Sequence, residues 1–552
     1  MSNESNKSKN PKTLTILLVC VIVVLLAIVA GLLIVASLKN KTSQGGETDI
    51  SQTETTISNV SSEKFNAPFK YDLKNNQLSN FDIAFLKAEN KKENKIYSPL
   101  SIKYTLKMLE EGAKGNSKQQ ISNVLEDYVV TKYTSNSNMS LANALFIRDT
   151  FKDKVNPNYA SNLQSKYNAE VVYDSFANAT NVNNWVKNKT LNLLPEVLDT
   201  IRDDQDFLLI NSLGIDMEWK NKFFEENSYE KGFRDEVAYQ HEKYHVACNT
   251  CSVESRKFDN DKLEVSGMEI MASIDNYDIV KTLGEDSIRK TVGDAYRKFI
   301  AEKGYGAWGE KLNTQAEIDA EVEKYLNDYI EALKLNYNEH RAVSSIDFSL
   351  YTDSNVKAFA KDLKEYNGTT LQYIGIMPTN EDLDKYVKDV DSDKINDIIK
   401  NMKDIKNENF KQGAITRVTG FIPKFKFDYD LDLINDLAQI GITDVFDQTK
   451  ADISDIVSMD GAYIGDAVHK ANIEFTQDGI KASATTVFTG KGAGDPEFDY
   501  VFDVPIEEID LTFNKPYMFI IRDKETGDVW FSGTVYEPLA WANDTSKDTN
   551  NF

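Results

Sequence analysis

Residues 473–488 read Ile-Glu-Phe-Thr-Gln-Asp-Gly-Ile-Lys-Ala-Ser-Ala-Thr-Thr-Val-Phe. The run opens on strand-forming residues, passes through Gly479, and enters a stretch of small side chains: Ala482, Ser483, Ala484, Thr485 and Thr486. Side chains alternate faces along a strand, so Ile480, Ala482, Ala484, Thr486 and Phe488 share one side, and Lys481, Ser483, Thr485 and Val487 the other. The first set is small or apolar throughout and suits a buried sheet face. The next stretch, 489–511, holds several Gly and Pro residues with many acids and reads as a long exposed loop. A strand-competent segment is therefore tied to a loop instead of continuing into a sheet. An ordinary strand and loop is the plain alternative.

The balance of charge excludes some functions. A net charge of −24 and a pI near 4.8 leave no cheap way to build a basic face, which argues against nucleic-acid binding. They favour solubility and attraction to basic partners. Three cysteines are too few for a disulfide framework. Cys20 lies in an apolar run, which leaves Cys248 and Cys251 for chemistry. With His241 and His245 they form His-x3-His-x2-Cys-x2-Cys, in which the histidines share a helical face and the cysteines can clamp a tetrahedral zinc. This set is the candidate for a structural zinc. A Cys248–Cys251 disulfide and solvated histidines stay open as alternatives. No cofactor is otherwise required. No Gly-x-Ser-x-Gly, Walker or His-Glu-x-x-His motif is present, so no enzyme is expected.

The chain starts with a polar segment, 1–12, carrying Lys7, Lys9 and Lys12. Residues 13–38 then contain no charge, and a helix of roughly that length spans about 39 Å, enough to cross a bilayer with tilt. An uncleaved signal anchor is the expected reading. A signal peptide is disfavoured by the length of the apolar run, and a lipoprotein site at Cys20 by Leu17-Leu18-Val19 before it. The basic flank places the N-terminus in the cytoplasm and the body outside the cell, in a single-pass membrane protein. Residues 39–64, rich in Ser, Thr, Gly, Gln and acids, form a tether, and 541–552 a disordered tail.

From residue 65 to 540 a series of motifs runs in a fixed order. Tyr97-Ser98-Pro99-Leu100-Ser101-Ile102 has a hydroxyl able to cap amides and a proline suited to a first helical turn. Gly112-Ala113-Lys114-Gly115-Asn116 closes that helix. Then come Leu141-Ala142-Asn143-Ala144-Leu145-Phe146, Val182-Asn183-Asn184-Trp185-Val186, and an apolar strand ending at Asn211 with Trp219 and Phe223 beyond it. Later come Leu371-Gln372-Tyr373-Ile374-Gly375-Ile376-Met377-Pro378, Ile422-Pro423-Lys424-Phe425, Ile440-Gly441-Ile442-Thr443-Asp444-Val445-Phe446, Phe513-Asn514-Lys515-Pro516-Tyr517 and Gly533-Thr534-Val535-Tyr536-Glu537-Pro538. In this order the chain resembles the serpins. The resemblance implies an α+β serpin fold: three β-sheets, surrounding helices and an exposed reactive-centre loop. Two stretches, 233–262 and 274–344, depart from the family as insertions. The second contains a capping box, Thr314-Gln315-Ala316-Glu317, followed by Ile318, Val322, Leu326, Ile330 and Leu333 at helical spacing. It predicts an amphipathic helix docked on the body.

For function, the serpin resemblance implies inhibition of a serine (or cysteine) protease by a trap. The loop is cut, an acyl-enzyme forms, and the loop enters the central sheet as a strand before water can complete hydrolysis. Gly479, Ile480, Ala482, Ser483, Ala484, Thr485 and Thr486 would be the hinge. Trp219 would mark the breach, and Ser98, Ser101, Asn211 and His469 the shutter, with His469 bonded to a polar partner such as Asn211. Counting from the hinge puts the scissile bond at Ala493-Gly494, with Lys491-Gly492 the second choice. Ala493 fits a serine protease with a small specificity pocket. Ile480 and Gln477 depart from the small residue and the Glu usual in the family, and the loop to Phe513 is longer than the norm. The alternative is a non-inhibitory serpin-fold surface protein acting as a binding module or adhesin.

Overall fold

The computed structural model describes residues 69, 71, 72, 75–203, 205–223, 257–339, 342–344, 347–465, 467, 469–480, 498, 500 and 502–543. The apolar run 13–38 with its flanks, the set His241, His245, Cys248 and Cys251, and residues 481–497 lie outside them. Among the described residues no helix is long and apolar enough to cross a membrane.

The innermost layer is an antiparallel sheet with strand order β1 (Lys95–Tyr97), β20 (Val529–Val535), β19 (Tyr517–Asp523), β12 (Leu371–Pro378), β11 (Val356–Asp362), β10 (Ser349–Thr352) and β13 (Lys403–Asp404). Strands β12, β19 and β20 are buried at every position. Their near-continuous apolar sequences are what a strand covered on both faces requires. A second sheet runs β18 (Ile506–Asp510), β14 (Ile415–Pro423), β8 (Gly267–Asp275) and β9 (Ala342–Ser344), with β18 parallel to β14. Residues 489–511 are thus only in part the exposed loop that their Gly, Pro and acids predict. Residues 506–510 are a strand and Leu511 is buried, because the alternating apolar residues near the end of the stretch outweigh its charge.

The remaining large sheet is split. One part is β3 (Glu170–Asp174), β2 (Met139–Arg148) and β4 (Phe207–Ile215); the other is β15 (Phe425–Leu431), β16 (His469–Phe475), β17 (Gly479–Ile480) and β5 (Met217–Glu218). Only Asp216 separates β4 from β5, so the two parts are joined at one end and parted along the rest of β4. A short hairpin, β6 (Lys257–Phe258) with β7 (Leu263–Glu264), completes the strands.

Helix α1 (Phe81–Ala88) and helix α2 (Pro99–Gly112) pack against β20. Ser98 caps α2: its hydroxyl accepts from the Ser101 amide at 3.1 Å, and Pro99 takes the first turn, where no amide is needed. The Lys103 ammonium of α2 lies fully inside, 3.1 Å from Asp82 and 3.0 Å from Asp528, an arrangement that compensates three buried charges together. Helices α3 (Gly115–Leu125) and α4 (Pro157–Tyr167) flank α2, and α5 (Thr180–Lys189) lies across β2 and β4.

A separate apolar cluster is built by α6 (Ile279–Leu283), α7 (Glu285–Lys303) and α8 (Gln315–Glu339). The capping box forms as the sequence predicts: the Thr314 hydroxyl accepts from the Glu317 amide at 3.2 Å, and the Glu317 carboxylate accepts from the Thr314 amide at 2.9 Å. Val322, Leu326, Ile330 and Leu333 are buried against α7 and against Phe498, Phe502 and Val504.

Candidate functional site: a slot in the split sheet

Between β4 and β16 lies a cavity of about 590 Å³. Ile96, Ser98, Ser101 and Phe531 line it from the α2 side, and Val186 and residues 193–198 from the α5 side. Its two walls are strand edges. Among the described residues β4 pairs only with β2, and β16 pairs with β15 and, at one end, with β17. Both edges therefore present backbone groups that an added strand would satisfy. The Asn211 side-chain carbonyl oxygen and the Ser212 hydroxyl, both buried on β4, have no hydrogen-bond partner among the described residues. The Asn472 side-chain amide bridges the slot's outer side, donating to the Leu193 carbonyl at 2.5 Å.

The upper end of the slot is closed by the start of such a strand. Ile480 pairs with Phe475 of β16 on one side and with Met217 of β5 on the other. Gly479 faces Glu218, and a Cβ added there would meet the Met217 carbonyl oxygen at 2.3 Å. Only glycine permits that approach. Ile480 is buried, so this position accepts the large side chain that departs from the family pattern.

Trp219 seals this end. It is fully buried, its indole N–H donates to the Thr476 carbonyl at 2.9 Å, and its amide donates to the Asp478 carbonyl at 3.1 Å. Phe475, Phe223 and Tyr373 meet its ring edge-on at 5.4, 5.6 and 6.1 Å. The Asp478 carboxylate pairs with Lys222 at 3.1 Å. The side-chain carbonyl of Gln477 is buried without a partner among the described residues. Beneath the aromatic group the Lys361 ammonium lies 5.0 Å from the Phe223 ring centre and 5.8 Å from that of Trp219, and donates to the Asp347 carbonyl at 3.2 Å. Burial pulls its pKa down to about 7.

Lower in the slot the structure departs from the sequence expectation. The buried His469 does not bond Asn211. Its Nε2 accepts from the backbone amide of Ser98 at 2.9 Å, so the neutral ring carries its proton on Nδ1. Burial pushes its pKa down to about 4. Asn211 donates instead to the side-chain carbonyl of Asn143 at 2.6 Å, and Asn143 donates to the Tyr167 carbonyl at 2.9 Å. The reason is the slot itself, which holds β4 and β16 apart. Ser98, Ser101, Asn211 and His469 all line it, and Trp219 closes its upper end. Asn143, Lys361 and Asn472 carry no role in the sequence reading; a polar residue inside an apolar strand, as in Leu141-Ala142-Asn143-Ala144, is the signal that could have found the first. The hinge residues Ala482, Ser483, Ala484, Thr485 and Thr486, and the bonds Ala493-Gly494 and Lys491-Gly492, lie outside the described residues. So do His241, His245, Cys248 and Cys251; among the described residues no group of three or more His, Cys, Asp or Glu could hold a metal.

A family model described as Serpin (serine protease inhibitor) matches residues 74–268 and 344–538. Human Serpin B4 is 22% identical over 498 residues, covering 83% of this chain and 97% of that protein. Human leukocyte elastase inhibitor is 22% identical over 479 residues, covering 83% and 97%. Bovine plasminogen activator inhibitor 1 is 30% identical over a shorter stretch of 129 residues, covering 23% and 29%. Among solved structures, the native state of the thermophilic serpin tengpin aligns with a TM-score of 0.51 at 22% identity, covering 83% of this chain and 92% of that one. Human thyroxine-binding globulin aligns with a TM-score of 0.52 at 16% identity, covering 83% and 97%.

Proposed function

The chain belongs to the serpin family, and from that premise we propose that it inhibits a protease by taking its own cut loop into the slot between β4 and β16. The observation that carries this reading is register. Ile480 opposes Phe475 and Met217, and antiparallel pairing continued downward sets Ala482 opposite Ile473 and Ile215. Ala484 then falls opposite Ala471 and Leu213, and Thr486 opposite His469 and Asn211. His469, Ala471, Ile473 and Phe475 are the buried positions of β16, so the small and apolar set from Ile480 to Thr486 would enter on the buried face. Thr486 would arrive beside the unpartnered oxygen of Asn211.

The chemistry is set by the order of events. A protease serine attacks the loop carbonyl, the amine on the far side leaves, and an ester joins enzyme and loop. Entry of the hinge side into the slot adds two ladders of backbone hydrogen bonds and drags the ester away before water cleaves it. The intact form is held kinetically until that cut. Ala493-Gly494 is the proposed scissile bond and Lys491-Gly492 the second choice. A serine protease with a small specificity pocket is the proposed target, which agrees with the leukocyte elastase inhibitors among the relatives. The acids Asp495, Glu497 and Asp499 would steer a basic enzyme.

Mixing the protein with elastase, subtilisin and trypsin tests the reading. A complex that survives SDS and carries the mass of both proteins less the released fragment is expected, with that fragment starting at Gly494. Cleavage of the loop by every enzyme without a complex would instead favour a non-inhibitory binding module. The thyroxine-binding globulin structures give that second reading its support. The uncharged run 13–38 supports an anchored body outside the cell; protease added to intact cells should then release it, and a protected body contradicts the placement.

A further inference from the structure

The family model leaves 269–343 unmatched, and the helices within that stretch hold the loop's far stem. Phe498, Phe502 and Val504 are buried in the cluster formed by α6, α7 and α8. The Phe498 ring stacks on Tyr296 at 4.7 Å and lies 5.2 Å from Phe299 and 5.5 Å from Tyr325. Tyr329 faces Phe502 at 6.5 Å. Two tyrosine hydroxyls also donate to the stem's backbone: Tyr325 to the Phe498 carbonyl at 3.4 Å, and Tyr329 to the Tyr500 carbonyl at 2.8 Å. Backbone bonds and ring contacts together fix both the place and the direction of this segment. The same cluster extends to Ile415 and Ile506, where β14 and β18 begin.

We propose that Tyr296, Tyr325 and Tyr329 are positioning residues that clamp the far stem, so that the uncut loop cannot enter its own slot. This rests on the trapping reading above. The slot's two fixed ends make the question one of chain length. Continued along β4, the entering strand would run from Ile480, opposite Met217, to residue 490, opposite Phe207, a descent of about 33 Å. The eight steps from residue 490 to the clamped Phe498 reach at most about 29 Å, too short for an equal return. The clamp is reached from the slot's upper end, because β14 leads from Ile415 to Pro423 and Phe425 pairs with Phe475. An uncut loop is therefore restrained while the clamp holds, whereas a cut between 490 and 497 frees the hinge side with its strand intact and leaves the stem in place. The extra length between Gly479 and Phe513 is taken up by the stem instead of lengthening the bait.

The test compares the full chain with two variants, Tyr325→Phe/Tyr329→Phe and Phe498→Ala/Phe502→Ala, during prolonged incubation at physiological temperature. Brief trypsin treatment reads the fraction still cleavable at Lys491, with the site of the cut checked by fragment mass, and Tm is measured before and after that cut. The parent should stay cleavable. The aromatic double variant should lose cleavability, with its chain unbroken and its Tm raised, at least about tenfold faster, and the hydroxyl double variant several-fold faster. Equal conversion rates in all three, with Tm rising on cutting, overturn the clamp and leave the trap standing. No rise in Tm on cutting the parent overturns the trap and the clamp with it. The hydroxyl variant keeps every ring, so it decides the matter if the aromatic one fails to fold.

Discussion

His469 shows how one buried side chain ties the slot to the helix beside it. Its Nε2 receives the Ser98 amide while the Ser98 hydroxyl caps α2, so protonating that nitrogen would remove the acceptor and leave a buried donor unsatisfied. In the unfolded chain the ring takes its proton near pH 6.5; in the fold it does so only near pH 4. As pH falls between these values the unfolded state binds more protons, so stability is full above about 6.5 and declines toward 4. The loss attributable to this group is about 3 kcal/mol, and His469→Gln should remove that part of the acid slope. Denaturant titrations of both proteins across this range check it; parallel curves would show that His469 does not titrate as a buried neutral ring. The serpin resemblance marked His469 for the shutter, and the structure brings it to the slot. Its partner was not legible: whether it meets Asn211 or Ser98 depends on how far β4 and β16 stand apart, which no local pattern encodes.

At the scale of elements, the strand from His469 to Phe475 and the start of the next at Gly479–Ile480 were readable because strand periodicity is a local property. Ile480 is buried beside the buried face of β16; Ala482, Ala484 and Thr486, which the alternation would set on the same face, lie outside the described residues. Replacing Ala484 by Arg would set a guanidinium between Ala471 and Leu213, costing several kcal/mol or stalling entry. Ala484→Arg is expected to be cut as a substrate and to form no SDS-stable complex, while circular dichroism and the intact Tm stay unchanged. Trapping at the parent's stoichiometry would show that the register is wrong. Helix α8 was equally legible, since a capping box and an apolar stripe are both written within one segment. Its covering was not. The face meets Phe498, Phe502 and Val504, more than a hundred and fifty positions away. The acids around those residues made the stretch look like free loop.

Across the whole molecule, the order of motifs identified the family because each marks a position that the fold uses once. The splitting of the third sheet is a different kind of property. Among the described residues it rests on β17 reaching to Ile480 and on no strand standing between the rest of β4 and β16. Among the described residues two long strand edges thus stand unpaired on either side of a cavity, and in the trapping reading those edges receive the cut loop. Joining them should raise Tm by several °C, since a strand bonded on both sides adds several kcal/mol and a body of this size shifts by about 1 °C per kcal/mol. Hydrogen exchange gives the most direct view, because it reads the edges themselves. Amides of β4 and β16 are followed in the intact protein and after a single cut within 490–497. Slowed exchange along 208–214 and 469–474 together is expected, with new protection in 482–488. Unchanged exchange on both edges after complete cleavage would contradict insertion.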